Sequence, residues 1–210
     1  MKKAILFDID GTLLDTWDFV IGAFKYTLKF HGHQMPSDQV LKSIMGKPLL
    51  EFYKTVFPNV QDVTDFAKTH KDYQAGKFDL GIPFPKAVET LKKLKAQGFL
   101  MAAISNRTKQ SLHISLKQAK FADFFDLVLS AEDVENPKPH KEHLIVALDH
   151  FKVEPGNAFM VGDTDHDILA GKNAGVKTIG VTYGFFGQSI KDCKPDFVID
   201  HIEEILKILK

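Results

Sequence analysis

The chain has 210 residues, 44% hydrophobic and 26% charged, with 27 basic side chains against 27 acidic ones. That length and composition suit a globular fold with a sizeable core and exclude a disordered or membrane-spanning chain; the charge balance leaves no net field to gather nucleic acid or an acidic membrane surface. The single cysteine, Cys193, allows no internal disulfide, fits a reducing compartment, and reads as an inert or buried thiol.

Met1-Lys2-Lys3 followed by Ala4–Phe7 starts like an export signal. Asp8 and Asp10 end the apolar run far short of the roughly 7–15 residues such a signal needs, so the expected location is the cytoplasm. Ala4–Phe7 is read instead as a strand that ends in Asp8-Ile9-Asp10-Gly11-Thr12. Asp8 and Asp10 share one side of an extended chain. They are either solvated turn residues or a pair held together by a cation or a shared proton. Gly11 lets the backbone turn sharply.

From Asp15 to about Gly81 there is no strand pattern. Four helical stripes follow one another: Trp17, Ile21, Phe24 and Leu28; Val40, Leu41 and Ile44; Leu49, Leu50, Tyr53, Val56 and Phe57; then Val63, Phe66, His70 and Tyr73. Pro36, Pro48 and Pro58 punctuate the gaps. The pattern predicts an all-helical insertion over 15–81, placed on a domain made of 1–14 and 82–210. Beyond it, helices at Ala87–Gln97, Ser111–Ala119, Lys141–Phe151 and Asp165–Ala174 are interleaved with strands at Phe99–Ile104, Leu127–Leu129, Ala158–Val161, Val176–Val181 and Phe197–Ile199, and a helix at Ile202–Leu209 closes the chain. This is an α/β pattern, a parallel sheet flanked on both faces, with ligands expected at the carboxyl ends of its strands.

Three further segments stand at such ends. Ser105-Asn106-Arg107 offers a hydroxyl and the N–H groups of a helix start, which suit an anion or serve as a plain N-cap. Arg107 is the only arginine, so bidentate arginine clamps are not the general means of holding phosphate. Lys138 lies between Pro137 and Pro139, which extend its backbone; it is a solvated loop lysine or a placed cation. In Gly162-Asp163-Thr164-Asp165-His166-Asp167, helix capping by about 0.3–1 kcal/mol explains one or two of the aspartates. With Asp8 and Asp10 the same cluster offers hard oxygen ligands suited to Mg²⁺. The pairs His31/His33 and His140/His143 lack a third ligand for zinc, and His166 is expected on a solvent-facing loop.

In this order the four segments resemble the haloacid dehalogenase-like hydrolase superfamily, in its phosphoglycolate phosphatase and β-phosphoglucomutase branch with a helical cap. The resemblance covers nearly the whole chain: Asp8–Thr12 matches the first motif, Ser105 the second, Lys138 the third, and Gly162-Asp163 with Asp167 the fourth. Lys86 where glycine is frequent, His140-Lys141 where proline is frequent, and Gly171 where alanine is frequent depart from the pattern without removing a catalytic group.

The resemblance implies a Rossmann-like core with a cap, and a Mg²⁺-dependent phosphatase for a small phosphate monoester, phosphoglycolate-like or a sugar phosphate. It makes Asp8 the nucleophile and Asp10 the general acid and base, a role that argues against the dehalogenase branch because a halide needs no proton. Ser105, Asn106 and Lys138 would hold phosphate, Asp8, Asp10 and Asp163 the metal, and Asp167 would orient Lys138 or metal-bound water. Lys47, where related caps carry a specificity loop, and Trp17 are candidates for substrate contact, against an ordinary helix-start lysine and a cap-core tryptophan. The Tyr183–Gly187 loop borders the site without an assigned role. The expected partner is a small phosphorylated metabolite, with no nucleic acid or membrane, for a monomer or homodimer. A β-phosphoglucomutase-like phosphotransferase and a non-catalytic phosphate-binding regulator are the alternative readings.

Overall fold

Ala4–Phe7 (β1) lies inside a six-stranded parallel sheet in the computed structural model, which describes residues 2–209. The chain leaves it through Leu14–Asp15 (β2) and runs through four helices, Trp17–Phe30 (α1), Asp38–Ile44 (α2), Leu49–Val56 (α3) and Thr64–Gln74 (α4). It returns through Ile82–Pro83 (β3), which pairs antiparallel with β2. Then come Ala87–Ala96 (α5), Leu100–Ile104 (β4), Lys109–Gln118 (α6), Leu127–Leu129 (β5), Glu142–Phe151 (α7), Ala158–Gly162 (β6), Asp165–Ala174 (α8), Lys177–Val181 (β7), Phe197–Ile199 (β8) and Ile205–Ile208 (α9).

The strand order is β5-β4-β1-β6-β7-β8. It winds away from β1 in one direction and from β6 in the other, so the topology reverses between these two strands. At such a switch point the flanking connections diverge and leave a crevice at the carboxyl ends. Asp8 follows β1 and Asp163 follows β6, which brings two distant acidic clusters side by side.

The sheet is buried on both faces, as apolar strands without polar alternation require. Ile5, Phe7, Met101, Ala103 and Val161 point to the layer that holds α5, α6 and α9. Ala4, Leu6, Ala102, Ile104 and Met160 point to the layer of α7 and α8. Phe7 is wholly buried and meets Phe125 edge-on at 6.4 Å, a burial worth roughly 1.5–3 kcal/mol.

Helices α1–α4 close a separate apolar cluster that includes Phe24, Leu28, Phe52, Tyr53, Val63 and Phe66. Phe24 and Phe52 pack edge to face at 4.8 Å, and the Tyr53 hydroxyl meets His70 Nδ1 at 2.9 Å. His31 stacks on Phe66 at 4.3 Å and His33 lies 4.5 Å from Phe57, so both rings are packing elements. No helix among the described residues is long and apolar enough to cross a membrane.

Several expectations need correction. Trp17 is not cap core: it is 44% exposed, at the start of α1 where its stripe partners turn inward without it. The helix expected at Ile202–Leu209 is split, because the first turn is a 3₁₀ turn, Ile202–Glu204, before α9. Helix α6 starts at Lys109, after an extended Thr108, so the N–H groups just beyond Ser105 belong to a turn and not to a helix start.

Burial pushes His70 down to about 3, with Arg107 and then Lys71 adding to the effect. A histidine held neutral stabilises the fold above its unfolded value of 6.5 and loses that contribution as pH falls toward its folded value. Denaturant unfolding should therefore show His70→Gln losing about 2 kcal/mol less stability than wild type when pH drops from about 6.5 to about 4.5. Parallel losses in the two proteins would remove His70 as the titrating group.

Candidate active site

The Asp8 N–H continues the β1 ladder one residue further, donating to the Val161 carbonyl at 2.9 Å, so the carboxylate stands at the strand tip. Gly11 then turns the chain at φ +79°, a conformation costly for side-chain-bearing residues. A Cβ there would lie 2.2 Å from Asp163 Oδ2, so the glycine permits the first and fourth motifs to touch. Thr12 Oγ1 donates to Asp163 Oδ1 at 3.2 Å, and the Phe185 N–H donates to Oδ2 at 2.6 Å. Gly184 is equally tight, since its Cβ would come within 2.3 Å of both Asp163 Cβ and the Gly11 carbonyl. The Tyr183 hydroxyl donates to the Thr12 carbonyl at 2.9 Å. The Tyr183–Gly187 loop thus props Asp163 from behind, a role legible only once the chain is folded.

Lys138 is buried and donates to three acceptors: Asp8 Oδ1 at 2.6 Å, Asp167 Oδ1 at 2.7 Å and the Ile104 carbonyl at 3.0 Å. All three ammonium protons have a partner. Asp167 divides its two oxygens: Oδ1 takes the lysine, while Oδ2 accepts from the Thr164 N–H at 3.0 Å and hydroxyl at 2.7 Å, forming a capping box at the start of α8. Asp167 thus caps α8 through one oxygen and holds Lys138 through the other. Ser105 is buried at the tip of β4, where its Oγ accepts from the Arg107 N–H at 3.1 Å. The Asn106 side chain borders the cavity but is engaged within the protein. Its Nδ2 donates to the Gly46 carbonyl at 2.6 Å and the Lys138 carbonyl at 2.8 Å, and its Oδ1 accepts from the Lys138 N–H at 3.1 Å.

The carboxylates crowd one another. Asp8, Asp163 and Asp167 offer oxygens within 4.8 Å of one another, all on buried residues. Burial pushes Asp8 up to about 8; Lys138 opposes the shift, and Asp167 and Asp10 reinforce it. Asp163 is likewise held well above the carboxylate range, by burial and then by Asp8 and Asp167. Burial alone would depress Lys138, but Asp167 and Asp8 outweigh it and raise the ammonium above its ordinary value. A cation would relieve this repulsion. The donor set is all oxygen, the type Mg²⁺ takes, and Asp163 currently holds neutral donors only. The residues present fit that ion, with Asp8 and Asp163 as its carboxylates.

A cavity of about 830 Å³ opens over these strand tips. Asp8, Asp10, Ser105 and Arg107 line it from the sheet side, and Gly46, Lys47, Phe52 and Lys71 from the helices. Lys47 borders this space, with its ammonium on Thr55 Oγ1 at 2.9 Å. Trp17 packs against Phe185, itself a wall residue, with ring centroids 6.1 Å apart. His166, expected on a solvent-facing loop, is buried in the first turn of α8 with Nδ1 3.1 Å from the Lys138 carbonyl. Its neighbours in sequence are polar, which hid the inward turn of the helix. His143 is also buried, with Nε2 2.8 Å from the Ser130 carbonyl. Arg107 is the largest omission of the sequence reading. It lies 3.3 Å from Asp10 Oδ1, and the signal for it was its uniqueness combined with its place two residues after Ser105.

Residues 5–181 match the family model described as haloacid dehalogenase-like hydrolase. Pyrophosphatase PpaX of Bacillus cereus is 34% identical over 211 residues, covering 99% of this chain and 96% of that protein. Among solved structures, a haloacid dehalogenase-like family hydrolase of Streptococcus pneumoniae superposes with a TM-score of 0.84 at 25% identity, covering 100% of this chain and 99% of that one. A predicted phosphoglycolate phosphatase of Haemophilus somnus superposes with a TM-score of 0.86 at 25% identity, covering 100% and 98%.

The crowding has a measurable signature. Asp163→Asn should make the metal-free protein more heat-stable than wild type, because a carboxyl that is costly to ionise beside Asp8 gives way to a neutral amide, whose oxygen can accept from the Phe185 N–H while its NH2 donates to Thr12 Oγ1. Millimolar Mg²⁺ should raise the Tm of wild type and leave the variant unmoved. A variant that is less stable without metal would show that Asp163 does not repel Asp8, and one that still responds to Mg²⁺ would show that Asp163 does not hold the cation.

Proposed function

The chain belongs to the haloacid dehalogenase-like hydrolase family, and from that we propose that it is a Mg²⁺-dependent phosphatase acting on a small phosphorylated metabolite through an aspartyl phosphate on Asp8. The observation that carries this reading is the Lys138 ammonium, bonded at once to Asp8 and Asp167 beside Asp163 at the β1–β6 switch point. A strand-tip carboxylate tethered to a buried cation is held in one orientation, as a nucleophile needs to be. The names of the relatives, pyrophosphatase and phosphoglycolate phosphatase, support phosphate transfer to water and widen the substrate class to include phosphoanhydrides.

An Asp8 oxygen attacks phosphorus, and the bond to the leaving oxygen breaks as Asp10 delivers its proton there. Asp10 then takes a proton from water, which attacks the aspartyl phosphate, frees inorganic phosphate and restores Asp8. Lys138, the Ser105 hydroxyl and the N–H of Asn106 hold the oxygens of the transferring group. The Asn106 side chain is already engaged, so its contribution is the backbone. Mg²⁺, held by Asp8, Asp163 and the Asp10 carbonyl, would neutralise phosphate charge and favour its transfer. Residues 15–81 act as a cap that swings on the β2–β3 ribbon, excludes water and brings Lys47 and Trp17 to the substrate, Trp17 against Phe185 of the core. The single cysteine supports a cytoplasmic site of action.

Phosphate release should be measured with pyrophosphate, phosphoglycolate, sugar phosphates and p-nitrophenyl phosphate, with and without Mg²⁺. Release should require the metal, and Asp8→Asn should lower it on the order of 1,000-fold or more. Undiminished release by Asp8→Asn would overturn the covalent mechanism, and silence of the wild type across the panel would overturn the phosphatase reading.

A further inference from the structure

We propose that Arg107 recognises the leaving group and selects substrates whose leaving group carries an anion of its own, as the second phosphate of a diphosphate does. The proposal rests on the phosphatase reading above and adds a specificity-determining residue to it.

Arg107 is the only arginine of the chain, and its side chain is 12% exposed in the wall of the cavity. It is fixed from several sides. Its backbone N–H donates to Ser105 Oγ at 3.1 Å, its Nη1 donates to Ser115 Oγ at 2.8 Å, and its guanidinium lies 4.6 Å above the Phe19 ring. Asp10 Oδ1 is 3.3 Å from Nη1. Yet Nη2 is buried with no hydrogen-bond partner, and so is Asp10 Oδ1. A buried guanidinium with unused donors is incomplete without an acceptor, and a planar fork of donors suits phosphate or carboxylate.

Its neighbour decides which part of the substrate that acceptor belongs to. Lys138 is tied to Asp8, on the side of the phosphoryl group that is transferred. Arg107 stands against Asp10, which serves the oxygen that departs. Lys47, the cavity lysine offered by the sequence, has its ammonium on Thr55, whereas Arg107 has donors to give. With pyrophosphate, the bridging P–O bond breaks with its electron pair on the oxygen that receives the Asp10 proton. The departing phosphate carries its charge next to Arg107.

The test compares kcat/KM of wild type, Arg107→Met and Arg107→Lys on pyrophosphate, phosphoglycolate and p-nitrophenyl phosphate, whose leaving group has no second anion. Arg107→Met should lose on the order of 100-fold on the first two, mostly in KM, and stay within about tenfold of wild type on the third. Arg107→Lys should recover part of the loss. Activity on p-nitrophenyl phosphate also reports that the variants are folded, and Arg107→Lys serves if Arg107→Met is not. Equal losses on all three substrates would make Arg107 a strut or a ligand of the transferring phosphoryl group, and no loss on any would make it a bystander; either overturns the proposal. Wild type that cleaves p-nitrophenyl phosphate but neither anionic substrate would overturn it while leaving the phosphatase reading intact. Wild type that cleaves nothing would remove both.

Discussion

The site is organised around one buried ammonium. Lys138 sits among Asp8, Asp167 and the Ile104 carbonyl, out of contact with water. Removing an isolated charge from water costs several kcal/mol, so the lysine is tolerable only where carboxylates already stand, and they are tolerable only because it stands there. The lysine and its two carboxylates arrive from different stretches of chain: the loop before α7, the tip of β1 and the first turn of α8. The interaction therefore works as a registration point, and the sheet must be assembled in its observed order before all three can meet.

That meeting leaves a charge deficit. One ammonium faces a cluster of buried carboxylates, and the Asp8 and Asp163 shifts show how poorly it compensates them alone. Small residues keep the crowd together nonetheless. Gly11 and Gly184 bring backbone to within contact of the Asp163 carboxylate, and Gly162 does the same under Asp167, where a Cβ would come 2.1 Å from the aspartate's own. The fold thus holds negative charge close by backbone geometry, and the Lys138 ammonium offsets only part of it.

The alternation of apolar strands with amphipathic helices was enough to read the parallel sheet, because burial on both faces leaves a local signature. The acidic pairs were legible for the same reason: strand ends are visible as the points where apolar runs stop at Asp8 and Asp163. What escaped was whatever depended on approach between distant segments. The prop from the Phe185 N–H to Asp163, the Asn106 side chain turned to Gly46 and Lys138, and the inward ring of His166 involve residues whose local sequence is that of an ordinary loop or helix start. The cap-core reading of Trp17 failed because its helical spacing matched Ile21, Phe24 and Leu28, although it sits at the very first position of α1, where the bundle no longer covers it. Arg107 was weighed only as evidence against a general strategy, and its approach to Asp10 was visible only in the fold.

The short ribbon of β2 and β3 has a consequence for how the molecule assembles. Leu14 pairs with Pro83 and Asp15 with Ile82, so the long helical excursion begins and ends at one place. A chain detour with touching ends adds closure entropy only logarithmically with its length, about 0.6 kcal/mol for each doubling. Once the ribbon has zipped, β1 and β4 meet almost as neighbours in a much shorter chain. Helices α1–α4 can then consolidate their own aromatic cluster on a separate clock, because the sheet does not wait for them.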